Sequence, residues 1–152
     1  MKNFDECGMT VAHVYGKQST CSRKQVGVAI LDKYGHVVST GFNGSPSGCE
    51  HCIDVFTPDK IKSPDYMEAH RQWAAVNEIH GEANAIITAL KLGRSLEGCI
   101  LYTTLSPCKD CAKLIIAAGI KKVVYDEVYD RDSSPVEWLK THGVKIRQFS
   151  LN

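Results

Sequence analysis

The chain has 152 residues, with 18 Lys and Arg against 17 Asp and Glu, for a formal net charge of +1. That length predicts one domain with a core of its own. The near-neutral balance argues against a nucleic-acid binder, which carries a basic face, and favours a small diffusible substrate. No apolar run reaches the roughly 18 residues of a membrane span, and "MKNFDECGMTVAHVYG" lacks the apolar centre of a signal peptide. A cytoplasmic protein is expected. Its seven cysteines then read as metal ligands, catalytic groups or small core residues, not as a disulfide framework.

Phe4 to Gly16 carries apolar residues at helical spacing and is a first helix. "QVGVAILD" and "HVVSTGF", joined by "KYG", read as a β-hairpin. "NGSPSGCEHC" collects Gly, Ser, Pro and Asn and is a loop, and residues 53–66 look irregular. Met67 to Ile79 is expected to be helical. Glu82 to Leu92, "EANAIITALKL", is an Ala-rich helix that stops before Gly93. "CILYTTL" is a strand, and "PCKDCAKLIIAAG" a helix entered at Pro107 and left at Gly119. "KKVVYD" is a strand, "SSPVEWLKTHG" a helix, and "VKIRQF" a last strand. This order predicts an α/β sandwich with helices on both faces of a mixed sheet.

Two short motifs carry chemistry. His80-Gly81-Glu82 opens the Ala-rich helix. Inside a helix, residues two apart point about 200° away from each other. At a helix start the histidine comes from the loop and the carboxylate from the first turn, so both can face one point. Cys108 and Cys111, spaced i, i+3, share a helix face, where the free N–H groups of a first turn favour thiolates. Two thiolates half fill a tetrahedral zinc site. A histidine and one exchangeable position complete a catalytic one, which makes His80 the third ligand. Glu82 then stands beside the open position as a proton carrier.

Each half alone has an ordinary reading: a polar helix edge for H-x-E, a redox pair or zinc knuckle for C-x-x-C. Together, H-x-E and P-C-x-x-C are the signature of zinc-dependent nucleobase deaminases. The rival class is a non-catalytic zinc module, and a carboxylate that is not a ligand argues against it.

Five segments, "STCSRKQVGVAILD", "STGFNGSPSGCEHC", "NEIHGEANAI", "YTTLSPCKDCAK" and "GIKKVVYDEVYD", together resemble the deoxycytidylate (dCMP) deaminases of bacteria and bacteriophages, from about Ser19 to Asp130. The "GFNGSPSG…HC" loop sets that group apart from tRNA adenosine deaminases and free-cytidine deaminases. The resemblance implies a single domain over residues 1–152. Its fold would be a cytidine-deaminase-like three-layer sandwich on a mixed sheet of about five strands. It also implies hydrolysis of dCMP to dUMP and ammonia, feeding thymidylate synthesis. Related deaminases of dCTP, cytidine, guanine or a tRNA adenosine are the alternatives.

By motif, His80, Cys108 and Cys111 would hold the catalytic zinc and Glu82 would move protons to ring N3 and the departing amine. Asn43 matches the position that contacts the sugar. Gly81 departs from the usual Ala. Arg23 and Lys24 are the candidates for the phosphate, with Ser106 as a hydrogen-bond donor. Tyr125 and Tyr129 are expected to pack on the nucleotide, in the core or at a subunit interface.

The same resemblance implies activation by dCTP with Mg²⁺ and inhibition by dTTP, at a site between subunits of a hexamer. That site would include Gly41, Phe42, Asn43 and Gly44. It further implies a structural zinc on Cys21, Cys49, Cys52 and His70, with His51 as an alternative ligand. Tyr66 stands where some phage relatives carry another histidine. Cys7 and Cys99 are assigned to packing, and His13, His36 and His142 to ordinary surface or half-buried positions.

Overall fold

The structure is a computed structural model that describes residues 3–129 and 132–151. In chain order it contains α1 (Asp5–Gly16), β1 (Gly27–Leu31), β2 (Val37–Phe42), α2 (Cys52–Val55), α3 (Pro58–Ile61) and α4 (Tyr66–Asn77). There follow α5 (Gly81–Lys91), β3 (Ile100–Leu105), α6 (Lys109–Ala117), β4 (Lys122–Glu127), α7 (Ser134–Thr141) and β5 (Lys145–Gln148). The strands form one sheet in the order β2-β1-β3-β4-β5. β1 runs antiparallel to β2 and β3, while β3, β4 and β5 run parallel. The mixed five-stranded sheet is the one the resemblance implies.

Period-two alternation along β1 builds two cores from one strand. Val28 and Ile30 face α5, α6 and α7, packing with Ala85, Ala89, Ile115 and Leu139. Ala29 and Leu31 face α1, packing with Met9 and Ala12. Helices therefore cover both faces, and the expected three layers are present. Gly41 lets β2 and α5 touch: a Cβ there would lie 2.5 Å from Ala85 N and Gly81 O.

Three expectations shift in detail. Residues 53–66 are not wholly irregular, since α2 and α3 each make one turn there. Such short turns are held by packing and not by intrinsic propensity. Pro107 does not open α6: Cys108 is its N-cap and the helix begins at Lys109. Cys7 is exposed rather than packed, whereas Cys99 is buried. Among the described residues, no helix is long and apolar enough to cross a membrane.

Candidate active site

Two helix starts meet beside the carboxyl end of β3. His80 is the N-cap of α5, and Cys108 is the N-cap of α6 with Cys111 in its first turn. His80 Nδ1 lies 3.4 Å from Cys108 Sγ and 3.5 Å from Cys111 Sγ. A tetrahedral zinc with bonds of about 2.3 Å to sulfur and 2.0 Å to nitrogen sets such ligands about 3.5 Å apart. The three donors thus fit the metal. As bare side chains they share protons. The Cys108 thiol, hydrogen-bonded by Cys111, falls to about 4, while Cys111 is pushed up. The Cys108 sulfur raises His80 to about 9. The protons that His80 and Cys111 keep are the ones a divalent cation would displace.

Glu82 is not part of that triad. It lies in the first turn of α5 and is 4% exposed. Burial raises its pKa. Its one hydroxyl neighbour explains how a proton can rest there. The Thr103 hydroxyl lies 2.8 Å from Leu105 O and 3.2 Å from Glu82 Oε1. One hydroxyl proton cannot serve both acceptors. With Leu105 taking it, a protonated Glu82 donates to Thr103 in turn, and an ionised one is free to accept a proton from a ligand.

Both motifs open into a cleft of about 310 Å³, lined among others by Arg23, Lys24, Asn43, His80, Glu82 and Ser106. Its size is at the small end of ligand pockets, which run from about 300 to 1,000 Å³, and suits one small molecule. Arg23 and Lys24 stand exposed at its rim, and Lys24 pairs with Glu127 at 3.3 Å. Tyr129 lines the cleft with Val128, and its N–H donates to Ser106 Oγ at 2.7 Å. Tyr125 is not among the lining residues.

Asn43 is mostly committed to the protein. Its Oδ1 accepts from Ser19 Oγ at 2.7 Å and from Val26 N at 2.8 Å, and its Nδ2 donates to Lys24 O at 2.8 Å. One N–H remains for a ligand. Gly44 bridges Ile79 through two backbone hydrogen bonds of 2.9 and 3.1 Å. Asn84 Nδ2 donates to Phe42 O at 2.8 Å. The Gly41–Gly44 segment is therefore strapped to the arm that carries His80.

A second cluster differs from the expected one. Cys21, Cys52 and His70 converge as anticipated, but the fourth donor is Glu78 and not Cys49, with all four ligand atoms within 4.8 Å of one another. Cys49 is exposed, turned outward by the tight turn in which its N–H bonds Pro46 O at 3.0 Å. His51 is the N-cap of α2 and lies 3.4 Å from Thr20 Oγ1 instead. Cys21 Sγ sits 3.4 Å from His70 Nε2, again the spacing a tetrahedral ion requires. The Ser22 N–H donates to Cys52 Sγ at 3.3 Å. Burial pushes the Cys21 thiol up to about 11 and keeps His70 below its ordinary value, neutral and ready to ligate. Tyr66 does not join the cluster, and its hydroxyl pairs with Ser22 Oγ at 2.8 Å.

Glu78 and Thr103 were not singled out from the sequence. Glu78 had a faint signal, since it precedes His80 by two residues as Glu82 follows it by two. Thr103 had one too, as a hydroxyl in an otherwise apolar strand. His13 is half-buried, as expected, and pairs with Asp126 at 2.7 Å.

The sequence model of the cytidine and deoxycytidylate deaminase zinc-binding region matches residues 2–127. The chain belongs to the cytidine and deoxycytidylate deaminase family. Deoxycytidylate deaminase of Enterobacteria phage T2 is 37% identical, covering 82% of this chain and 80% of that protein. Its counterpart from Enterobacteria phage T4 is 36% identical over 82% of this chain and 78% of its own. The crystal structure of dCMP deaminase from cyanophage S-TIM5, in complex with dCMP and dUMP, superposes with a TM-score of 0.78 at 30% identity. It covers 98% of this chain and 99% of that one. The resemblance read from the motifs is thereby borne out, and the chain is a hydrolase of the deaminase type.

Proposed function

We propose that this chain hydrolyses dCMP to dUMP and ammonia, in the cytoplasm and in supply of thymidylate synthesis. The observation that carries the reading is the buried Glu82 standing off a His80–Cys108–Cys111 triad inside a cleft with a cationic rim. A structural metal knuckle has no use for that carboxylate. Seven free thiols suit a reducing compartment. The phage relatives named for this substrate support dCMP over other amino-pyrimidines.

His80, Cys108 and Cys111 would hold the zinc, which when bound would polarise water and lower its pKa toward about 7. Glu82 accepts one proton from the attacking water and delivers it to ring N3 as oxygen bonds to C4. It then carries the second proton to the exocyclic amine, the C4–N bond breaks, and ammonia leaves. Burial keeps Glu82 a strong enough base to take each proton and a strong enough acid to return it. Arg23 and Lys24 neutralise the phosphate, Lys24 exchanging Glu127 for it. Asn43 and Ser106 border the sugar.

Cys21, Cys52, His70 and Glu78 would hold a second ion. The Gly41–Gly44 segment is the proposed seat of dCTP–Mg²⁺ activation and dTTP inhibition in a hexamer, because it is bonded to the His80 arm and any shift there reaches the site. Ammonia release from dCMP, dCTP, deoxycytidine and guanine tests the substrate. dCMP is expected to lead, and no turnover of dCMP overturns the reading. dCMP saturation curves with dCTP or dTTP present test regulation, and curves that neither nucleotide moves remove it.

A further inference from the structure

The two metal-type clusters are joined by three residues. Glu78 is the C-cap of α4, with φ −99° and ψ 140°, and His80 is the N-cap of α5, with φ −66° and ψ 153°. The segment between the helices is thus extended. In extended chain, residues two apart project to the same side. Glu78 and His80 do so, and both line the cleft, while Ile79 between them is paired to Gly44. Each of the two side chains is the contribution of this arm to a different cluster.

Glu78 has a further property. Its Oε1 is buried and, among the described residues, has no hydrogen-bond partner. A carboxylate oxygen placed so is costly unless something cationic meets it. One carboxylate oxygen of Glu78 lies within 4.8 Å of a ligand atom from each of Cys21, Cys52 and His70. These come from the segment before β1, from α2 and from α4, so an ion among them would tie three separate elements to the arm.

We propose that Glu78 is a positioning residue for the deamination site: as fourth ligand of an ion on Cys21, Cys52 and His70, it clamps the 78–80 arm and so fixes where His80 stands. The inference rests on the two-ion reading above. Without the clamp the arm keeps the Ile79–Gly44 pairing and the Asn84 N–H to His80 O at 2.9 Å, and the His80 side chain would be the least firmly placed of the three catalytic ligands. Loss of a residue that orients a ligand costs about 10–100-fold in metal affinity.

The test measures metal per chain and the rate at which a chelator strips it, in full-length wild type, Glu78→Ala, Glu78→Cys and Cys52→Ser. Wild type should hold two equivalents. Glu78→Ala should hold one and lose it to the chelator about 10-fold faster or more than wild type loses its catalytic ion. Cys52→Ser, which removes the same ion from a different element, should reproduce that rate. Glu78→Cys, which restores a ligand, should recover the second equivalent and the slow release. Turnover of dCMP should fall in kcat more than it rises in KM, because His80 does not touch the nucleotide phosphate.

A wild type with one equivalent overturns the two-ion reading itself. Two equivalents in Glu78→Ala show that Glu78 is no ligand and overturn the proposal. One equivalent with wild-type release from either Glu78→Ala or Cys52→Ser shows a ligand without coupling, and overturns it equally.

Discussion

A carboxylate buried with one hydroxyl neighbour is a poor choice for stability, and Glu82 is that residue. Ionised, it gives up water for a Thr103 hydroxyl that already serves Leu105 O at 2.8 Å. Glu82→Gln keeps the shape and removes the charge. The variant should keep its zinc, lose dCMP turnover by about 10²–10⁴-fold, and melt no lower than wild type when metal-free. Metal analysis, ammonia release and calorimetry check the three parts, and turnover near wild type would end the proton-carrier role. This residue was legible because its partners lie close in sequence or in a fixed i, i+3 spacing. Glu78 was not, because its role depends on how the loop carrying Cys49 and Cys52 folds back. C-x-x-C spacing suggested that both sulfurs face one ion, but a turn at 46–49 sends one of them outward.

At the scale of elements, alternation and helical periodicity were enough to place every strand and the long helices. What they missed was how elements end. Cys108 lies at the N-cap with φ −77° and ψ 172°, outside the helix proper, and its sulfur still meets His80 Nδ1 at 3.4 Å beside that of first-turn Cys111. α2 and α3 escaped notice because a single turn has no periodicity to read. Gly41 was expected to border a regulatory nucleotide, yet its main demand comes from the helix above it. A methyl there would meet backbone atoms of α5 at 2.5 Å, and backbone cannot step aside as a flexible side chain does. Gly41→Ala should therefore cost about 3 kcal/mol by pushing α5 off β2. The same push moves His80 and Glu82, so zinc affinity should fall with stability. Urea melts with parallel zinc titrations check this, and a fully stable variant altered only in its response to dCTP would return Gly41 to a ligand-binding role. By contrast, a methyl at Gly81 would meet Val28 Cγ2 at 3.2 Å, a side-chain atom with some room to yield, so the departure from Ala there is a mild one.

Across the whole molecule, the sheet separates the chemistry from much of the anchoring. The clusters and cleft gather around α4, α5 and α6, whereas α1 closes the opposite face over Met9, Ala12 and Tyr102. That face has a polar lock of its own. Asp5, 1% exposed at the start of α1, accepts the Tyr102 hydroxyl at 2.9 Å and pairs with Arg147 of β5. Helix, central strand and edge strand are thus tied at one point. No motif announced this lock, since residues 5, 102 and 147 meet only once the sheet order is known. Tyr102→Phe removes the donor and leaves the buried carboxylate one bond short, at a cost of about 1–3 kcal/mol. For a chain of this length that lowers Tm by roughly 2–4 °C per kcal/mol. Burial pushes the Tyr102 hydroxyl up to about 12 from an ordinary 10. Folding thus favours the protonated phenol. Its contribution is fully present below pH 10, shrinks as the unfolded chain ionises first, and is lost as pH rises through 12. The stability gap between wild type and Tyr102→Phe should accordingly be flat below pH 10 and narrow above it. kcat and KM for dCMP should not change, because no ligand of either cluster and no lining residue of the cleft belongs to the lock. Denaturant melts across pH, run beside steady-state kinetics, decide the matter: a raised KM at unchanged zinc content would mean that the α1 face feeds strain through β3 into Thr103 and Glu82.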